Sequence, residues 1–183
     1  MSKRVTLAAA GFLLMALAMP LTAGAQLVYV LGGPTFPVGD FSDFANTGWF
    51  AAGGVTFPVG ESGLWAGVEG SYGQNNHDES VLNVTIGDKT NLIGAMAVLG
   101  YDIPTASNVQ PFIWGGLGLL VHRFSPATGS SDSESNFGYQ FGAGLSFGGD
   151  ESSVHPFIEG RYEGAEVSKF VSVEAGLAFG VGN

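Results

Sequence analysis

Few residues in this chain stand at spacings that would support chemistry. His122 with Ser125 three positions later is the nearest approach to a base beside a nucleophile. A hydrolase would need that imidazole within reach of the hydroxyl and an acid orienting it. No G-x-S-x-G elbow occurs to present a serine. His77-Asp78-Glu79 and Asp132-Ser133-Glu134 bunch potential metal ligands together. Ligands without spacing fit a solvated loop better than a metal centre. Gly115-Gly116-x-Gly118 and Gly142-x-Gly144 open no helix, so neither reads as a phosphate cradle. Asn83-Val84-Thr85 matches a glycosylation sequon that an exported bacterial-type protein leaves unused. The sequence therefore assigns no catalytic residue, cofactor or metal. What remains is a set of ionisable groups on alternate positions: His155, Glu159, Arg161 and Glu163.

Alternation is the pattern of a strand, whose side chains point to opposite faces in turn. In 154–164 the other set is Val154, Pro156, Ile158, Gly160 and Tyr162. Eight such strands are expected, at about 27–36, 48–57, 64–73, 90–101, 109–122, 136–147, 154–164 and 169–179. The sixth is the clearest. Phe137, Tyr139, Phe141, Ala143, Leu145 and Phe147 share one face, opposite Gly138, Gln140, Gly142, Gly144 and Ser146. By the same parity Glu69, Gln140, Glu159, Arg161, Ser172 and Glu174 share the polar face, with His155 and Glu163 nearer strand ends. A charge in a narrow interior needs a partner. Arg161 is expected to be the hub of a network with Glu159 or Glu174, from its own strand or the next.

Composition says where such strands would sit. The chain has 183 residues, enough for one domain. Lys3 and Arg4, an apolar run over 5–17, Pro20 and the small-x-small Ala23-Gly24-Ala25 read as an export signal cleaved before Gln26. The expected organisation is a leader over 1–25, with cleavage at Ala23 and Ala25, and one barrel domain over 26–183. Six Lys and Arg face sixteen Asp and Glu; without Lys3 and Arg4 the balance is four against sixteen, net −12. So acidic a chain has no basic stripe for phosphates, which argues against nucleic-acid binding. There is no Cys, so no disulfide staples the fold.

The mean hydropathy is +0.27, yet no apolar run after the leader is long enough for a membrane helix. Thirty Gly and fourteen Phe accompany it. In lipid only helices and closed barrels satisfy every backbone polar group, so these strands point to a barrel. Short connections at 60–63, 103–108 and 148–153 alternate with longer polar ones at 37–47, 74–89 and 125–135. In bacterial barrels the short turns are periplasmic and the long loops extracellular, which leaves both termini in the periplasm. Trp49, Tyr72, Phe137 and Tyr162 would then form an outer aromatic girdle, and Phe57, Phe147 and Phe179 an inner one.

Two echoes add to the pattern. Gly32-Gly33-Pro34-Thr35-Phe36-Pro37-Val38-Gly39 recurs as Gly53-Gly54-Val55-Thr56-Phe57-Pro58-Val59-Gly60, and Val109-Gln110-Pro111-Phe112-Ile113 as Val154-His155-Pro156-Phe157-Ile158. With the Gly-aromatic strands and the export signal, they resemble the small eight-stranded outer-membrane β-barrel family of the OmpA membrane domain and OmpX. The last strand resembles that family's assembly signal at Glu174, Gly176, Phe179 and Val181, but ends Val181-Gly182-Asn183 in place of a terminal aromatic. The resemblance implies an all-β, eight-stranded antiparallel up-and-down barrel in the bacterial outer membrane. Its implied partners are outer-membrane lipids, lipopolysaccharide and the assembly machinery. No cell-wall-binding domain is expected after it.

A structural or surface-interaction role follows, with a filled polar lumen, since eight strands leave an interior just wide enough for side chains. Asp40, Asp43, Asp78, Glu79, Asp132, Glu134 and Glu166 would make the outer loops acidic and favour cationic partners. The alternatives are a small porin-like channel and, more remotely, a barrel enzyme acting on lipid A. The surface ligand is not specified by these residues.

Overall fold

The computed structural model describes residues 26–78, 87–126, 131–148, 152–166 and 168–181. The leader with Ala23 and Ala25, Glu79 and the Asn83–Thr85 sequon lie outside them. The strands are β1 (Gln26–Pro37), β2 (Gly48–Pro58), β3 (Leu64–Asn76), β4 (Lys89–Asp102), β5 (Val109–Ser125), β6 (Asp132–Phe147), β7 (Val154–Gly164) and β8 (Lys169–Val181). Each pairs antiparallel with the next, and β1 closes on β8. The closing register sets Leu27 against Gly180 and Thr35 against Ser172. Closure leaves no strand edge with unpaired amides, the condition for strands to cross lipid. Among the described residues no helix is long and apolar enough to cross a membrane.

Side-chain alternation sets the two faces. Phe137, Phe141, Leu99 and Val173 point outward and are each more than half exposed. Phe50, Leu92, Leu120 and Phe170 point inward and are buried. This is the inverse of a soluble protein's economy, because the outer face meets lipid. The glycine-rich face of β6 has a packing cause. A Cβ on Gly142 would stand 2.9 Å from the indole of Trp114, and one on Gly138 2.7 Å from Leu120. The small residues of β6 thus make room for the bulky inward residues of β5.

Two strands run further than the hydrophobic pattern suggests. β5 and β6 extend as a paired ribbon to Phe124 opposite Asp132, so much of the polar connection expected over 125–135 is strand. Backbone pairing needs no apolar side chains, so the ladder outlasts the membrane-facing pattern. The first long connection is also ordered. It holds a 3-10 helix, Gly39–Asp43, and leans on the second through Ala45 paired with His77. Asn46 donates its backbone N–H to Asn76 O at 2.8 Å, and Asp78 to Phe44 O at 2.8 Å.

Candidate functional site in the barrel lumen

Polar groups converge on Arg161, 2 % exposed, which β7 projects into the lumen. Its guanidinium grips Glu69 of β3 with two parallel bonds, Nη1 to Oε1 at 2.7 Å and Nη2 to Oε2 at 3.0 Å. Such a fork is the geometry in which Arg recognises carboxylate best. Nη2 also donates to Glu159 Oε1 at 3.1 Å, and Nη1 to Gln140 Oε1 at 3.3 Å. Nε lies 3.2 Å from Glu174 Oε2, an ion pair without hydrogen-bond alignment. Glu163 Oε2 is 4.0 Å from Nη1. The Phe50 and Trp114 rings hold the cation at 4.8 and 4.5 Å from their centroids.

A second set of bonds orients the acids. Tyr29 Oη donates to Glu69 Oε2 at 2.8 Å and Gln140 Nε2 to Glu69 Oε1 at 3.1 Å. Ser172 Oγ donates to Glu174 Oε1 at 2.5 Å. Glu69 is thus fully saturated, whereas neither oxygen of the wholly buried Glu163 has a hydrogen-bond partner. Four carboxylates therefore crowd one guanidinium, a concentration of like charge that low dielectric makes expensive.

The arrangement corrects several expectations. The main partner of Arg161 comes from β3, across the lumen, and not only from β7 and β8. Glu163, next to the last residue of β7 as expected, is wholly buried beside the hub and pairs across with Phe170 of β8. The filled polar lumen is corrected on one side. On the periplasmic side of Arg161 the lumen holds a cavity of about 330 Å³, and its walls are largely apolar. Tyr29, Trp65, Phe112, Trp114 and Phe157 line it; Glu69, Glu159 and Arg161 form its inner end. Its mouth opens among Pro58, Asp102, Gln110, Ser146 and His155 at the periplasmic strand ends. Beyond Arg161 the extracellular half is packed by Phe50, Leu92, Met96, Leu120 and Phe170 together with buried Thr35, Asn75, Asn91, His122 and Ser172, a mixed apolar and polar filling.

Near the extracellular mouth His122 meets Ser168 of the β7–β8 connection, Nε2 to Oγ at 2.5 Å, and not Ser125. Ser125 instead accepts from Asn91 Nδ2 at 3.3 Å. Asn136 Nδ2 faces His122 Nδ1 at 3.5 Å. The imidazole therefore spans from the Asn136 amide to the Ser168 hydroxyl, a histidine–serine pair 46 positions apart. Both residues are buried in the lumen, away from lipid. His77 bonds Thr90 Oγ1 at 2.8 Å, stacks on Phe124 at 5.2 Å and meets Phe44 edge-on at 5.3 Å, which ties the first long connection to the second. Burial pushes its imidazole below the usual histidine value, and the charge of Asp88 opposes that in part.

The remaining sequence-derived positions are outward or at the rim. Trp49 packs on Tyr72 at 5.4 Å, and Tyr162 stacks on Phe141 at 5.1 Å and Tyr139 at 6.1 Å. Phe137 points outward in the same extracellular half. Phe57, Phe147 and Phe179 stand within two residues of the periplasmic ends of β2, β6 and β8. In the last strand Glu174 and Gly176 face inward, while Phe179 and Val181 face out. A Cβ on Gly176 would come within 2.6 Å of Val30 O, so packing alone requires glycine there. Asp40, Asp43, Asp132, Glu134 and Glu166 are exposed at the extracellular end, and Asp78 partly so. Among the described residues no three His, Asp or Glu are grouped so as to hold a metal ion.

The family model for the outer membrane protein beta-barrel domain matches residues 5–182. Comparison with curated proteins gives no match. Among solved structures, Neisserial surface protein A (NspA) superposes with a TM-score of 0.68 at 16% identity, over 86% of this chain and 99% of that one. Ail, the attachment invasion locus protein of Yersinia pestis, gives 0.52 at 19% identity, over 87% of this chain and 100% of that one. Ail has also been solved with the heparin analogue sucrose octasulfate. The N-terminal barrel domain of Pseudomonas aeruginosa OprF gives 0.52 at 14% identity, over 87% and 100%. At these identities the likeness is one of fold.

Proposed function

Because the chain belongs to the outer membrane protein beta-barrel domain family, a family of the bacterial outer membrane, we propose that it is a non-conducting barrel with a structural or surface-interaction role. The observation that carries this reading is the layer around Arg161. It spans the lumen from β3 to β7 and β8, and the cavity on its periplasmic side ends at it. An ion would have to displace a bidentate pair held between two rings. Binding at the surface falls to the extracellular connections, whose exposed acids favour cationic partners. Ail accepts a polyanion; the acidic rim here would repel one.

The reading assigns no lipid A chemistry, supported by the pairing of His122 with Ser168 in place of Ser125 and by its burial away from lipid. Residues 1–25 act as the export leader, removed at Ala23-Gly24-Ala25. Glu174, Gly176, Phe179 and Val181 serve as the signal read by the assembly machinery. The aromatic girdles anchor the barrel in lipid and lipopolysaccharide. Single-protein conductance in planar bilayers tests the central claim. The purified barrel is expected to show no steady openings, and Arg161→Ala none either, because Phe50, Leu92, Leu120 and Phe170 still close the extracellular half. Stable channels in the unaltered protein would favour the porin reading instead.

A further inference from the structure

Eight-stranded barrels have interiors that side chains can fill, and natural interiors are close-packed. The extracellular half here obeys both statements. The periplasmic half does not, although its inward positions carry the largest side chains of the chain. Their rings fold over glycines of neighbouring strands, Phe157 over Gly176 and Phe112 over Gly144, and Phe157 meets Tyr29 edge-on at 6.4 Å and Phe112 at 6.1 Å. Together with Trp65 and Trp114 they enclose about 330 Å³ and leave the axis clear. That volume lies within the range of small-molecule sites, as does the chemistry of an apolar wall with few polar groups at one end.

The charges select the occupant. Glu69, Glu159 and Asp102 line the cavity with Arg161 as counter-charge, and Arg161 is already committed to carboxylates on three sides. Glu69 has no free lone pair, because Arg161, Gln140 and Tyr29 use both oxygens. An anion would meet uncompensated carboxylate. A neutral apolar molecule would gain contact area and nothing from the field. A cation would gain from the acids at the inner end and from the ring faces, which attract positive charge. Entry is from the periplasm, past Asp102 and His155.

We propose that the periplasmic half of the lumen is a binding pocket for a small organic cation with an apolar body, such as an aromatic or branched-alkyl ammonium. The cationic head lies toward Glu159 and the body against Phe112, Trp114 and Phe157. The barrel thus presents a receptor face to the periplasm in addition to its extracellular loops.

Trp65 and Trp114 line the cavity, so intrinsic fluorescence reports occupancy directly. The full barrel in phosphatidylcholine nanodiscs would be titrated with benzyltrimethylammonium, with neopentylbenzene, its uncharged isostere, and with phenylmethanesulfonate. Saturable binding of the ammonium is expected, at least about tenfold tighter than the isostere, with none of the sulfonate. Glu159→Gln should weaken ammonium binding by a similar factor. Ala178→Phe fills the cavity from a position away from the charged layer and should abolish binding while leaving circular dichroism unchanged. Equal affinity for the ammonium and neopentylbenzene would reduce the site to an apolar void and overturn the proposal. So would binding that survives Ala178→Phe, which would place the probe at the lipid surface, or the absence of saturation.

Discussion

On either side of Arg161 the lumen is made by the same alternation, yet the two halves end in opposite states. The extracellular half is solid. Phe50, Leu92, Leu120 and Phe170 are each no more than 2 % exposed, and Phe50 and Phe170 rings meet at 5.9 Å. The periplasmic half is hollow despite carrying two Trp, two Phe and a Tyr. The difference teaches that parity decides which residues point inward and says nothing about whether they meet. Filling a tube depends on side chains from opposite walls meeting, as Phe50 and Phe170 do with Leu92 and Leu120. Flat rings laid against the wall occupy circumference and leave the centre open. The charged layer sits at the junction, sealed on one side by packing and reached on the other through the cavity.

The largest expected effect falls on that junction. Arg161→Leu strips the only cation from a dry layer of four carboxylates and should cost about 3–5 kcal/mol of stability. Urea unfolding in micelles measures it; a loss below about 1 kcal/mol would mean that the layer does not hold the halves together. Next comes a direct contrast between them. Phe50→Ala opens a void in the packed half and should cost about 3–5 kcal/mol. Phe157→Ala only enlarges a space already present, and its cost should be less than half of that. Equal losses would break the distinction. Glycine substitutions sharpen it further. Gly142→Ala forces the Trp114 indole and the Gly160 carbonyl aside and should cost about 1–3 kcal/mol. Gly160→Ala, on the lipid face with nothing within 4 Å of the added methyl, should stay within about 0.5 kcal/mol.

The smallest effect concerns the extracellular closure. His77 titrates below its unfolded value because it is buried. Its neutral form is therefore the one the fold favours. The contribution is complete above the unfolded value, near 6.5, and is lost as pH falls through the lower folded value. Hydrogen exchange at Asn46 and Asp78 amides should accelerate in mild acid, and His77→Asn should remove that acceleration. Exchange independent of pH, after correction for intrinsic rates, would detach His77 from the closure.

The period of two made the wall legible from residues alone: β6 and β7 could be read face by face, and the inward set included Glu69, Gln140, Glu159, Arg161 and Glu174. The pairing of Glu69 with Arg161 was not legible. Which strand stands opposite β7 depends on strand number and stagger around the whole circumference, and no local spacing encodes it. The same holds for His122 with Ser168, 46 positions apart. Ser125 looked nearer only because sequence distance stood in for spatial distance. The hollow half escaped for a different reason. Phe112 and Phe157 share the Pro-Phe-Ile echo, a visible signal, but ring orientation is set by neighbours such as Gly176 and Gly144 on the adjoining strands.

The bidentate pair joins residues 92 positions apart, and that separation bears on how the barrel comes into being. Until β3 and β7 both stand in the wall, Arg161 and its acids have no common interior and are best left in water. Closing so long a loop is entropically slow, and no partial barrel recovers the loss. The charged layer is therefore expected to engage last, after the strands have met, like a latch.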